Sequence, residues 1–445
     1  MKYVESTESN KTIDSVLNCE KPEEINPIIK LYQIFMFIIT PILPLYLQLR
    51  VWSGKEEAER LQERYGKTNL KRPEGKLIWI HAASVGESLS ILPLIDLLIK
   101  HDNNAHVLLT TGTISSATLM KERLPHKAFH QYAPIDHFKY VRDFLNFWNP
   151  DIGIWTESEF WPNLIIESKN HGVPIGLING RVSDKSFRGW KRLGKMISII
   201  LEKFDFCLGQ TENDTKRLGV LGAKKYEYLG NLKFSSPPLP VNKKELSNLN
   251  SQLQNRPCWL AASTHKGEEE IVADVHQKLK GSYNTILTVI VPRHPERGDE
   301  ILETLSQYNN FKISRRSLGN AINSDTDIYL ADTIGELGLF FSLSKITFMG
   351  KSLVPLGGQN PIEPLKLGSA VIHGPHMSNF TEIVKELSEF GCAVRIDNSN
   401  QLFTGVSDLL SNQKKIKNMI KNGEIYIGSK KLVAENIKNK IISLL

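Results

Sequence analysis

The sequence predicts an α/β chain: two doubly wound parallel-sheet domains facing a cleft, preceded by a membrane-associated N-terminal segment. Three observations predict it. Apolar strand-like runs alternate with helix-length stretches along nearly the whole chain, which is the rhythm of βαβ units. A proline-rich break, Ser235-Ser236-Pro237-Pro238-Leu239-Pro240, divides that rhythm in two. At 445 residues the chain is also too long for one ordinary core.

The elements follow in order. Residues 1–26 are polar and without period, and read as a flexible extension. Residues 27–52 form the membrane-associated segment. Between Lys30 and Arg50 no residue is charged, and Pro41 and Pro44 interrupt the apolar run. A spanning helix needs about 20 apolar residues, so this segment either spans or lies in the interface. A buried helical hairpin is the alternative. Basic residues follow (Arg50, Lys55, Arg60, Arg64), which places the remainder on the cytoplasmic side.

The first domain, 53–233, carries strand candidates at 77–81, 106–111, 129–133, 152–156, 173–178, 204–209 and 226–229. A polar linker is expected over 234–256. The second domain, 257–445, carries strand candidates at 259–262, 285–291, 327–330, 346–349, 371–373 and 393–396, then a helical tail. Two such domains match the GT-B architecture of glycosyltransferases, in which Rossmann-like sheets bind ligands at the carboxyl ends of their strands.

Composition narrows the function classes. Hydrophobic content of 41% and charged content of 23% are those of a folded protein. A net charge of +7 suits anionic lipid or a phosphorylated substrate. No basic run is interleaved with aromatics, so no nucleic-acid partner is expected. Cys19, Cys207, Cys258 and Cys392 are scattered without a CxxC, against a zinc site or disulfide framework. There is no GxxxxGK[ST], and no Asp-x-Asp ends a strand, so no metal and no cofactor is expected.

The chemistry gathers at strand ends. Glu87 closes the turn Ser84-Val85-Gly86-Glu87 at a helix start. It reads as a general base or as a plain helix N-terminal acid. Glu157 ends a strand within Trp155-Thr156-Glu157-Ser158-Glu159-Phe160-Trp161-Pro162-Asn163, and reads as a cleft residue or a helix-capping acid. Arg181, Lys185 and Arg188 form a basic rim or a solvated loop. Lys233 stands at the domain junction, as a charge-stabilising cation or a surface lysine. In the second half, Pro292 and Arg293 end a strand where a guanidinium can grip phosphate. Ile334, Gly335 and Glu336 form another strand–turn–helix. Gly357-Gly358-Gln359-Asn360-Pro361-Ile362-Glu363 offers backbone N–H groups and an acid suited to ribose hydroxyls.

Taken together these segments resemble the 3-deoxy-D-manno-octulosonic acid (Kdo) transferases. The resemblance rests on Glu63-Arg64-Tyr65-Gly66, the Ser84–Glu87 turn, 157–163, 179–186, Leu232-Lys233-Phe234, Pro292–Arg297, Gly335-Glu336-Leu337 and 357–361, in that order. It implies an inverting GT-B enzyme moving Kdo from CMP-Kdo to a lipid A precursor at the cytoplasmic face of the inner membrane. It implies Glu87 as base, and Glu157 and Lys233 as charge-stabilising residues. It assigns CMP contacts to Pro292, Arg293, Ile334, Gly335, Glu336, Asn360, Pro361, Ile362 and Glu363. The long polar extension and Ser158, where Thr is usual, depart from the family pattern. The competing readings are a GT-B transferase using a UDP-sugar and a membrane-tethered sugar-nucleotide sensor without turnover.

Overall fold

The computed structural model describes residues 27–308 and 311–445. The expected polar extension, 1–26, lies outside the described residues. The N-terminal sheet holds β1 (Lys76–His81), β2 (Ala105–Thr111), β3 (Ala128–Tyr132), β4 (Ile152–Thr156), β5 (Ile175–Gly180), β6 (Phe206–Gly209) and β7 (Tyr226–Glu227). The C-terminal sheet holds β8 (Cys258–Thr264), β9 (Leu287–Pro292), β10 (Ile313–Arg315), β11 (Ile328–Leu330), β12 (Ile346–Met349), β13 (Ala370–His373) and β14 (Ala393–Arg395). Each sheet has seven strands, ordered β3-β2-β1-β4-β5-β6-β7 and β10-β11-β9-β8-β12-β13-β14. All pairings are parallel.

The strands are unbroken apolar runs because helices bury both faces. Leu77, Trp79 and Trp155 point into one core of the first sheet, and Ile78, Ile80 and Ile154 into the other. Trp79 and Trp155 stack edge-on at 4.8 Å. The second sheet is covered in the same way, with Leu260, Val289 and Val371 on one face and Trp259, Ile290 and Phe348 on the other.

Strand order places the ligand crevice. It reverses between β1 and β4 in the first sheet and between β8 and β12 in the second, and ligands bind outside the carboxyl ends of strands at such points. Several of these strand ends carry left-handed backbone: Glu157 (φ 56°) after β4, Ser263 (φ 57°) on β8 and Lys351 (φ 60°) after β12. Each costs on the order of 1 kcal/mol at a non-glycine residue, and such strain clusters at functional sites.

Two expectations about domain limits are amended. The second half of the expected linker is the helix Lys243–Leu253, capped by Asn242, whose side chain accepts from Lys244 N and Glu245 N. Leu249 and Leu253 are buried in the C-terminal core, since the helix has an apolar face behind its polar one. The tail also does not stay with the second domain. Helix Val433–Ile442 returns to the first, where Val433, Ala434, Ile437 and Ile441 join the core of Ile78 and Ile80. Gly230 (φ 105°) makes room for it, because a Cβ there would stand 2.5 Å from Val433 Cγ2.

The Glu63–Gly66 segment is an architectural clamp. Glu63 accepts from Tyr132 N at 2.7 Å, and Arg64 donates to the carbonyls of Ala133 and Gly112 at 3.1 and 2.8 Å. It ties the chain leaving the apolar segment to the ends of β2 and β3.

That segment is helical over Pro27–Trp52, 26 residues, with a 3-10 turn at Thr40–Ile42 where Pro41 interrupts the ladder. By length and composition it can cross a bilayer. One stripe (Ile29, Met36, Leu43, Leu47) is buried, and Tyr32 Oη donates to Asp136 Oδ2 at 2.8 Å. The opposite face leaves Leu31, Phe37, Ile38 and Trp52 at 65–73% exposure, which a buried hairpin would not.

Candidate active site

Glu87 sits on the first turn of the helix Val85–His101, directly after β1. Ser84 is its N-cap, as a short hydroxyl side chain favours. The Glu87 carboxylate accepts from Ala83 N at 2.9 Å, Ser84 Oγ at 2.7 Å and Thr156 Oγ1 at 3.1 Å. These three donors hold it as an oriented acceptor. It is 8% exposed, and burial raises its pKa to about 6. The Glu157 charge adds to the rise, while the three hydrogen bonds oppose it. The result is a carboxylate that is ionised at neutral pH yet more basic than an ordinary Glu.

Glu157 follows β4, the strand beside β1, so strand order alone brings the two acids together. Its backbone N–H bonds Ile178 O at 3.1 Å, and its carboxylate pairs with Lys233 Nζ at 3.1 Å. Lys233 is placed by its neighbours. Asn231 Oδ1 accepts from Lys233 N at 3.0 Å, and Asn179 Oδ1 from Leu232 N at 3.1 Å. Both partners of the pair are partly exposed, at 18 and 22%, so they are within reach of solvent.

The C-terminal lobe answers with cations. Arg293 follows β9, is exposed, and makes no side-chain hydrogen bond or ion pair among the described residues. Lys351, His294, Arg293 and Arg297 all act on His265, which together with burial lowers its pKa to about 4. The ends of β8, β9 and β12 therefore gather fixed positive charge around a neutral imidazole, a setting that favours an anion. Beneath it lies Glu268, fully buried, accepting from the backbone N–H groups of His265, Lys351, Ser352 and Leu353 at 2.6–3.0 Å.

The remaining turn residues fall into two kinds. Ile334 is 87% exposed and Gly335 is left-handed at φ 86°, so this turn offers backbone and an apolar surface. The Glu336 carboxylate is already held by Arg316 at 2.6 and 3.1 Å and by Thr333 at 2.5 Å. Asn360 closes its own turn, donating to Glu363 Oε1 at 3.1 Å and accepting from Ile362 N at 3.2 Å. Pro361 and Ile362 are buried beneath it. Burial raises the pKa of Glu363, and Lys366, Arg293 and Lys233 pull it back. Glu363 thus lies within the fields of cations from both lobes.

A second bridge crosses the cleft. Arg181 donates to Asn379 Oδ1 at 2.8 Å, and Asn379 N bonds Gly357 O at 3.0 Å. The expected rim residue is thus an inter-lobe contact. Thr156, Glu268, Lys366 and Asn379 were not singled out by sequence reasoning. Among the described residues no three His, Cys, Asp or Glu side chains gather to hold a metal ion.

A model of the family described as 3-Deoxy-D-manno-octulosonic-acid transferase (kdotransferase) matches residues 59–236. The 3-deoxy-D-manno-octulosonic acid transferase of Rickettsia bellii is 36% identical over 88% of this chain and 94% of its own length. This chain belongs to the Kdo transferase family. That of Haemophilus influenzae is 32% identical over 88% of this chain and 92% of its own. Among solved structures, UDP-GlcNAc 2-epimerase from Neisseria meningitidis superposes with a TM-score of 0.58 at 15% identity, covering 83% of this chain and all of that one. That likeness shows the two-lobed GT-B fold alone. The transferase is therefore a glycosyltransferase.

Proposed function

We propose that the transferase moves Kdo from CMP-Kdo to a lipid A precursor, with inversion and without a metal. Glu87 takes the proton of the acceptor hydroxyl. The acceptor oxygen bonds the anomeric carbon from the face opposite the leaving group. The bond from that carbon to the phosphate oxygen breaks, and CMP leaves with the electron pair. Arg293 and the cations around it hold the phosphate. Lys233, poised by Glu157, offsets the charge that develops as CMP departs. The 334–336 and 360–363 turns cradle the nucleoside.

The observation that carries this reading is the buried, upward-shifted Glu87 beside the Glu157–Lys233 pair at a strand-order switch point. The test is incubation with CMP-Kdo and a tetra-acylated lipid A precursor, followed by mass spectrometry. The precursor should gain Kdo. Glu87→Gln should lose about 10²–10⁴ in rate while CMP still protects it thermally. Protection by UDP and not CMP, or no transfer by the wild-type protein, overturns the reading.

We also propose that the protein rests on the cytoplasmic face of the inner membrane with Pro27–Trp52 lying in the interface. A stripe of that helix is packed on the acceptor lobe and its Tyr32 is bonded there, so it runs along the lobe. Helix Asp184–Leu193 supplies a second surface, with none of its residues buried. It exposes Leu193 beside Lys185, Arg188, Lys191 and Arg192, while Phe187 and Trp190 are half-buried against the N-terminal core, so its outer face is basic and suited to anionic headgroups. Trp190 packs on Phe160 at 5.2 Å, next to the Glu157 turn.

A further inference from the structure

Lys366 is the last residue of the short helix Ile362–Lys366, one turn beyond Glu363. Its ammonium points out of the nucleotide lobe toward the chain segment that passes between the lobes. There it donates to Lys233 O at 3.2 Å and Ser236 O at 2.5 Å. These carbonyls are not arbitrary. The first belongs to the residue whose side chain pairs with Glu157. The second directly precedes Pro237-Pro238, where the prolines fix φ and confine Ser236 to extended backbone. A stiff crossover is thus gripped at its start by one side chain from the donor turn.

The same helix holds Glu363, and the charges of Lys366, Arg293 and Lys233 all bear on it. Any shift of the 360–366 turn on taking up the donor therefore reaches Lys233 by two routes, through the field at Glu363 and through the strut to its carbonyl. No other described side chain of the C-terminal lobe donates a hydrogen bond to the 233–236 backbone.

We propose that Lys366 is a positioning residue for transfer: it fixes the crossover so that the Lys233 ammonium stands against Glu157 when the donor turn is occupied. It touches no reacting atom and acts through Lys233. The inference rests on the proposed Kdo transfer, in which Lys233 offsets leaving-group charge.

The test is a double-mutant cycle on the full-length protein, read by initial rates with CMP-Kdo and lipid A precursor. Lys366→Met should lower kcat about 10- to 100-fold, in line with a small misplacement of a catalytic group, and leave donor KM within about two-fold. In a Lys233→Met background, the same change should lower the residual rate by less than about two-fold, because the group it positions is gone. Lys366→Arg, which keeps the donors, should recover most of kcat. CMP should still raise the melting temperature of every variant. If Lys366→Met unfolds the protein, Lys366→Gln, a shorter donor, should give the intermediate kcat.

The inference is overturned if the losses multiply in the double variant, as two independent structural effects would. It is equally overturned if Lys366→Met leaves kcat unchanged or acts only on KM. Failure of the wild-type protein to transfer Kdo sinks the functional reading instead, so the two failures are distinguishable.

Discussion

The two acids at the switch point and the lysine between the lobes set the position of an acid limb that substitution should move in either direction. The Glu87 pKa rises from 4.5 to about 6, a change of ~2 kcal/mol in favour of the protonated form. With Glu87 as the proposed base, kcat/KM should fall as pH drops through about 6. Burial is the larger cause of the rise and the Glu157 charge the second. Glu157→Gln removes that charge and frees the Lys233 ammonium. Both effects favour ionised Glu87, so the acid limb should move down by about half a pH unit, ~0.7 kcal/mol. Lys233→Met does the opposite. Glu157 then keeps its charge without a partner, and the limb should move up. The assay is CMP release at saturating acceptor across about pH 5 to 8, with kcat/KM for the donor plotted for each protein. An acid limb at the ordinary Glu position, a limb that survives in Glu87→Gln, or shifts of the same sign in both variants would refute the reasoning.

Glu268→Ala should leave four backbone N–H groups around a hole and cost about 3 kcal/mol in urea unfolding, with CMP affinity falling alongside. Gly358→Ala places a Cβ 2.2 Å from Met377 Sδ at φ 77°, and should cost about 2 kcal/mol of stability and weaken CMP binding by calorimetry. It should leave the Glu87 acid limb in place. Leu31→Glu with Ile38→Glu charges the exposed apolar face, and should move the protein from the vesicle pellet to the supernatant without loss of CMP protection.

The layered architecture was legible because parallel strands buried on both faces leave a long apolar signature, as in 77–81 and 287–292. Strand β10 was not, because its three residues, Ile313–Arg315, hold a single apolar side chain and run into a second arginine. Glu87 and Glu157 were legible as strand-end candidates and Lys233 as a candidate at the domain junction, and the family resemblance pointed to the same three residues. Their mutual geometry was not, since strand order brings residues 70 to 146 positions apart together and no local pattern records that order. Glu268 reads from sequence as one of three acids in a helix's first turn, and only the fold shows which of them is buried under the 351–353 loop. The Lys243–Leu253 helix was hidden because polar residues outnumber its buried leucines. Helix Val433–Ile442 was recognisable as a helix, but nothing in an amphipathic stripe names the lobe it docks on.

That returning helix has a mechanical consequence. The chain crosses between the lobes at 234–242 and again near 430–433, so the halves hang from one another by a pair of tethers. A single tether would let them swivel; a pair defines a hinge line and leaves rocking about it as the soft motion. Movement of one half against the other then follows a single arc, so the strand ends of the two sheets meet in the same register each time the halves approach.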